Sequence, residues 1–125
     1  MTWRMAGADH MHVNGLRNKF CEEDASVIDS ARACLAPLRP DAPCLAMPVL
    51  SSAQTPLQAA ETYTQLASAD LIHAAGGGIV GHPDGAAAGV RAMRAAWDAA
   101  IDGVSIGDAA KDSPALANAI KAFGP

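Results

Sequence analysis

The chain has 125 residues, half of them apolar, and a formal net charge of −4; that is the size of one soluble, mildly acidic domain. Its nine Lys and Arg are scattered and form no basic stripe, which argues against nucleic acid as a partner. No apolar run reaches the ~20 residues of a membrane span and the N-terminus lacks a charged start before a long apolar core, so the chain reads as cytoplasmic. Cys21, Cys34 and Cys44 are odd in number and show no C-x-x-C spacing, which fits buried thiols better than a disulfide framework or a zinc site.

In chain order, Asp9 to Val13 is a short strand that carries His-x-His and runs into a polar loop with a glycine. From Glu22 to Leu35, Val27, Ile28, Ala31 and Leu35 recur at helical spacing. Cys44 to Leu50 is a second apolar run, with Pro48 near its end, and Thr55-Pro56 is a cap and first-turn pair opening a helix through about Ala67. Leu71 to Ala75 is the third run. Beyond it, Val90, Met93, Trp97 and Ile101 recur in steps of three and four, an amphipathic helix ending near Gly103. Ser113-Pro114 opens a last short helix with Leu116, Ile120 and Phe123 on one face and Gly124 as its stop.

Strands alternating with helices of this length imply an α/β fold of three βα units, with parallel strands and right-handed crossovers. In such sheets ligands gather at the carboxyl ends of the strands. Each unusual polar stretch lies at that end: HMHVNGLRNKF after the first strand, SSAQT after the second and GGGIVGHPDG after the third. The three consecutive glycines, Gly76 to Gly78, admit two readings. One is a cradle of backbone N–H groups around an anion; the other is a loose connection in a chain already rich in Gly and Ala.

These segments resemble a known family. RMAGADHMHVNGLRNKFCE is similar to strand 6 and loop 6 of the RuBisCO large subunit and the RuBisCO-like proteins, and PVLSSAQ and GGGIVGHPDGAAAGVRA are similar to its strands 7 and 8, in the same order. The resemblance implies that residues 1–125 are a partial catalytic domain, the C-terminal portion of a (β/α)8 TIM barrel. It also implies roles. His12 becomes a ligand for one end of a phosphorylated substrate, with His10 one pleat away on the same side and Asp9 and Met11 facing outward. Packing, or metal binding without a third ligand, are the other readings of a His-x-His pair. Lys19 falls where a mobile loop brings a lysine to the negative charge developing on substrate; outside that register a loop lysine is simply solvated. Ser51 matches the serine ending strand 7, and Gly76 and Gly77 match glycines whose amides hold the other phosphate. The sequence departs from the carboxylases at SSAQ, which replaces Ser-Gly-Gly: Ala53 keeps its N–H while its Cβ reduces the room. Asn14, Asn18 and Cys21 also depart, so a RuBisCO-like protein fits better than a carboxylase.

The resemblance further implies Mg2+ in the full-length enzyme, held by a carbamylated lysine with an Asp and a Glu from a segment this chain does not carry. KFCEED is no substitute, because Glu22 to Asp24 read as first-turn acids of the next helix. The expected activity is that of a RuBisCO-like lyase or isomerase forming a Mg-stabilised enediolate on a phosphorylated keto sugar or keto acid, of isomerase, decarboxylase or carboxylase type. The alternative is a catalytically inactive truncated fragment, at most an anion-binding or assembly module. A (β/α)8 barrel takes about 250 residues, and three strands alone leave two edges and the inner face unpaired. The partners expected are therefore a phosphorylated small molecule and the missing barrel half or a homodimer partner.

Overall fold

The structure, a computed structural model, describes residues 2–124. Three parallel strands, β1 (His10–Asn14), β2 (Met47–Ser51) and β3 (Ile72–His73), lie side by side in sequence order. A short helix α1 (Thr2–Met5) precedes β1, and α2 (Asp24–Leu35) crosses from β1 to β2. A 3-10 turn (Pro56–Gln58) leads into α3 (Ala59–Leu66), which crosses to β3. Four helices follow: α4 (Gly76–Val80), α5 (Ala86–Ile101), α6 (Ile106–Asp112) and α7 (Pro114–Phe123).

Register decides what each face meets. His12 pairs with Val49 and Val49 with Ile72, while Val13 pairs with Leu50 and Leu50 with His73. Side chains alternate between faces, so Val13, Leu50 and His73 turn towards the helices and His10, His12, Val49 and Ile72 towards the opposite side. Leu50 is fully buried, whereas His10, His12, Met47 and Ile72 are exposed. One face of the sheet is covered by helices and the other is open. The main apolar cluster, Leu16, Val27, Ile28, Ala31 and Leu66 with Val13, Leu35 and Leu71 against it, fills the space between the sheet and α2 and α3. Each fully buried large side chain there contributes about 1.5–3 kcal/mol. A second cluster, Ala59, Ala96 and Leu116 with Trp97 and Ile120, locks α3, α5 and α7 together.

The expected capping at Thr55 is present in full: its hydroxyl accepts from the Leu57 N–H, and Gln58 Oε1 accepts from the Thr55 N–H at 2.9 Å. Several boundaries differ from the sequence expectation. The second strand begins at Met47 rather than Cys44, whose φ of 43° is incompatible with extended pairing. The third shortens from Leu71–Ala75 to two residues, because the glycines form a helix, α4, rather than a loop. Helix α5 starts at Ala86, four residues before its first large apolar side chain, since Gly85 (φ 83°) turns the chain into it. Helices α1 and α6 were not expected; both are short, and α6 buries no residue fully, so neither has a strong apolar stripe.

One buried group on α3 lacks a partner. Thr62 is fully buried and its hydroxyl meets no hydrogen-bonding group among the described residues. An unpaired buried hydroxyl costs about 1–3 kcal/mol. Thr62→Val keeps the branched shape and should stabilise the chain by about 1 kcal/mol, read as a higher urea midpoint with an unchanged slope.

Candidate functional site

The site lies where the three strands end. On the open face of β1, His10, His12 and Asn14 succeed one another at two-residue steps, as the His-x-His spacing implied. The last residue of β2, Ser51, pairs with Asn14 across the sheet. That register brings the Ser51 hydroxyl to 2.7 Å from His12 Nε2. The contact continues along the rim: Ser52 Oγ lies 3.4 Å from Ser51 Oγ and donates to Asn14 Oδ1 at 3.0 Å, and Asn14 Nδ2 donates to Glu22 Oε2 at 2.6 Å. The Asn14 amide and the Ser26 hydroxyl both stabilise the Glu22 carboxylate, holding its pKa below the usual carboxylate range. Glu22 thus binds the rim from just ahead of α2: the helix starts at Asp24 with Glu23 as its N-cap, so of the three acids expected in its first turn only Asp24 lies there.

Ser52 and Ala53 have φ of 71° and 61°, the left-handed region that costs non-glycine residues about 1–2 kcal/mol each. These are the two positions where the resemblance places glycines. Both residues thus adopt a backbone conformation that glycine takes without strain. Ala53 is exposed at the rim.

After β3 the chain turns directly into α4. Its N-cap, Ala75, has no side chain that can cap, and the first intrahelical-type bond runs from the Ile79 N–H to the Ala75 carbonyl. The amides of Gly76 and Gly77 therefore head an uncapped helix start, where donors have no intrahelical acceptor. A Cβ at Gly76 or Gly77 would meet nothing within 4 Å. Gly78 is different: a Cβ there would come within 2.5 Å of the Gln54 carbonyl oxygen and 2.7 Å of Thr55 Cα. Of the three glycines, two face open space and the third lets α4 press on the loop after β2.

Lys19 stands apart from these groups. It is exposed in the loop after β1, with Nζ 5.3 Å from the centroid of the Phe20 ring. Next to it, buried Asn18 folds the loop on itself, accepting from the Phe20 and Glu22 N–H groups and donating to the Glu22 carbonyl. The structure joins His12 to Ser51 and leaves Lys19 outside that pair.

Behind the rim is a polar set that periodicity did not reveal. His73, on the helix side of β3, lies between Trp97 of α5 and Gln54 of the loop after β2. Burial lowers its pKa from 6.5 to about 4, so it is neutral at pH 7. Unfolding lets it take up a proton below pH 6.5, so stability should fall as the pH drops from about 6.5 towards 4. Urea midpoints across that interval should slope in unmodified protein, and the His73→Gln variant should lose that part of the slope.

A model of the family "Ribulose bisphosphate carboxylase large chain, catalytic domain" matches residues 43–123. The chain belongs to this RuBisCO large-chain family. It is 63% identical over 118 residues to a 3-oxo-isoapionate-4-phosphate transcarboxylase/hydrolase of Xanthobacter autotrophicus, covering 94% of this chain and 28% of that relative. It is 44% identical over 122 residues to a 3-oxo-isoapionate-4-phosphate decarboxylase of Rhizobium rhizogenes, covering 97% and 29%. The crystal structure of a RuBisCO-like protein from Burkholderia fungorum superposes with a TM-score of 0.92 at 43% identity, over 95% of this chain and 30% of that one. The chain thus spans under a third of the length of the relatives it matches, and its three βα units match a part of the RuBisCO barrel.

Proposed function

We propose that this chain supplies the last three βα units of the catalytic (β/α)8 barrel in a RuBisCO-like enzyme, and that its rim binds a phosphorylated keto acid of the 3-oxo-4-phosphate type. The observation that carries the proposal is the rim itself: a His12–Ser51 pair at the ends of β1 and β2, with an uncapped helix start at Gly76 and Gly77 after β3. Free amides at a helix start favour an anion, and imidazole and hydroxyl side chains complete a polar wall opposite. The substrate type is supported by 63% identity to a relative named for 3-oxo-isoapionate-4-phosphate.

In this proposal Gly76, Gly77 and the Ala53 N–H donate to the phosphate or carboxylate, and Ser51, His12 and His10 bind the other polar end. Lys19 enters from its loop and meets charge as it develops on the substrate. Among the described residues no cluster of three or more His, Cys, Asp or Glu is arranged to hold a metal. The residues here do not fit Mg2+, and no step is assigned through it; any activity belongs to an assembled barrel.

The test is a chimera in which this chain replaces the matching segment of the Xanthobacter relative, assayed for turnover of 3-oxo-isoapionate-4-phosphate. Lys19→Ala should lower kcat by about a hundredfold or more while leaving phosphate affinity within about twofold. Gly77→Val should instead raise the phosphate Kd by about tenfold or more, since its side chain fills the space in front of the amides. A Lys19→Ala chimera with full turnover, or a Gly77→Val chimera with unchanged affinity, would contradict the assignment of that residue.

A further inference from the structure

We propose that His73 is a positioning residue for this rim: as its neutral Nε2–H tautomer it joins Trp97 to Gln54, and through the Gln54 amide it holds together the loops that follow β1 and β2. The proposal goes beyond the function above and rests on it only in its phosphate readout.

The tautomer follows from both ends of the chain of bonds. At one end, Trp97 Nε1 lies 2.9 Å from His73 Nδ1. An indole nitrogen can only donate, so Nδ1 accepts. At the other end, Gln54 Nε2 lies 3.0 Å from the Leu16 carbonyl and 2.9 Å from the Ser52 carbonyl. Two carbonyls can only accept, so this atom is the amide NH2 and Gln54 Oε1 faces His73 Nε2, at 3.1 Å. That nitrogen must donate. The two ends require the same tautomer independently, and a charged ring would set a second N–H against the indole N–H.

Gln54 is 2% exposed, and both of its amide protons and its oxygen are used. Gly15 packs so closely on the Gln54 amide that a Cβ there would overlap it. The two carbonyls thus leave the amide one orientation, and His73 anchors its oxygen end. Its two acceptors mark what is being held. The Leu16 carbonyl lies at the start of the loop that carries Lys19, and the Ser52 carbonyl lies in the left-handed pair beside Ser51. The ring of His73 meets Trp97 edge to face, with centroids 5.6 Å apart at 90°, so α5 supports the network from behind. Burial keeps the imidazole neutral at pH 7, in agreement with the bonding pattern. A fully satisfied buried network of this kind rigidifies what it touches, and a broken one leaves costly orphans.

The experiment uses the 15N-labelled chain joined to its complementary barrel strands, with inorganic phosphate as the probe. In unmodified protein at neutral pH the long-range imidazole spectrum should show His73 protonated at Nε2 and bare at Nδ1; a proton on Nδ1 overturns the proposal. His73→Leu should shift the Leu16, Ser52 and Ala53 amides and weaken phosphate binding about tenfold. His73→Gln, whose amide can accept from Trp97 and donate to Gln54, should restore affinity to within about threefold. If His73→Leu does not fold, Trp97→Phe removes the donor while keeping an aromatic ring there, and should show the same amide shifts to a smaller extent. Unmoved Ser52 and Ala53 amides, or unchanged phosphate affinity when they do move, overturn the positioning role. Absence of phosphate binding by unmodified protein sinks the proposed function instead, and the tautomer and the Ser52 and Ala53 amides then decide the role of His73 by themselves.

Discussion

Gly78→Ala should cost about 3 kcal/mol or more, while Gly77→Ala, one residue away, should leave stability unchanged or slightly higher. Heavy atoms in contact sit about 3.5–4.0 Å apart. The added Cβ at Gly78 would stand 2.5 Å from a backbone oxygen and 2.7 Å from a Cα, neither of which can swing aside as a side chain would. Relief requires α4 to move away from the Gln54–Thr55 loop, which disturbs the Gln54 hydrogen bonds and the capping at Thr55 together. Overpacking that forces backbone shifts costs about 1–3 kcal/mol, occasionally more, and here two sets of bonds are lost with it. At Gly77 the Cβ enters open space and alanine is the better helix former. Urea unfolding of the two variants side by side reads the difference, and equal midpoints would remove the steric account of Gly78.

Arg4→Leu should destabilise by about 2–4 kcal/mol. Arg4 is a charged residue only 8% exposed, and its guanidinium is spent on four carbonyls: Nε on Cys44 at 2.7 Å, Nη1 on Ala33 at 2.5 Å, and Nη2 on Ala36 at 2.6 Å and Pro43 at 3.3 Å. Ala33 and Ala36 lie at the carboxyl end of α2, whose last carbonyls have no intrahelical donors and carry the negative end of the helix dipole. Pro43 and Cys44 lead into β2. One side chain from α1 therefore closes the end of α2 and fixes the entry to the strand that ends in Ser51. Hydrogen bonds to a charged group contribute about 1.5–3 kcal/mol each in favourable cases, and partial access of water to the freed carbonyls sets the total below their sum. Arg4→Lys should recover only part of the loss, since a single ammonium cannot span both sets. An Arg4→Leu midpoint equal to that of unmodified protein would show that the clasp carries no stability.

The alternation of runs made the three-strand α/β plan legible, and the His-x-His spacing placed His10 and His12 on one face because a strand repeats every two residues. The Thr55-Pro56 signal worked for the same local reason: a cap needs only residues three positions apart. The glycine run was legible as a backbone site but not as a division of labour. That division depends on Gln54 and Thr55, twenty-odd residues earlier, and no local pattern reports it. Gln54, His73 and Trp97 escaped for a related reason. Gln54 stood out only as part of the polar stretch SSAQT and Trp97 only as a position on an apolar face, and only the strand register and the packing of α5 bring them within hydrogen-bond reach of His73. Asn14 and Ser52 stood out only as departures from the resemblance; the structure shows them bonded to each other, between His12 and Glu22.

The proposed anion site at the strand ends is tested most directly by titrating inorganic phosphate into 15N-labelled chain joined to its complementary barrel strands, without magnesium, and following the backbone amides. The Gly76, Gly77 and Ala53 resonances should move together and saturate with one Kd, with Ser51 responding and Lys19 unmoved. If those glycine amides stay in place while the protein is folded, the run from Gly76 to Gly78 is a connector and the rim binds no phosphate there.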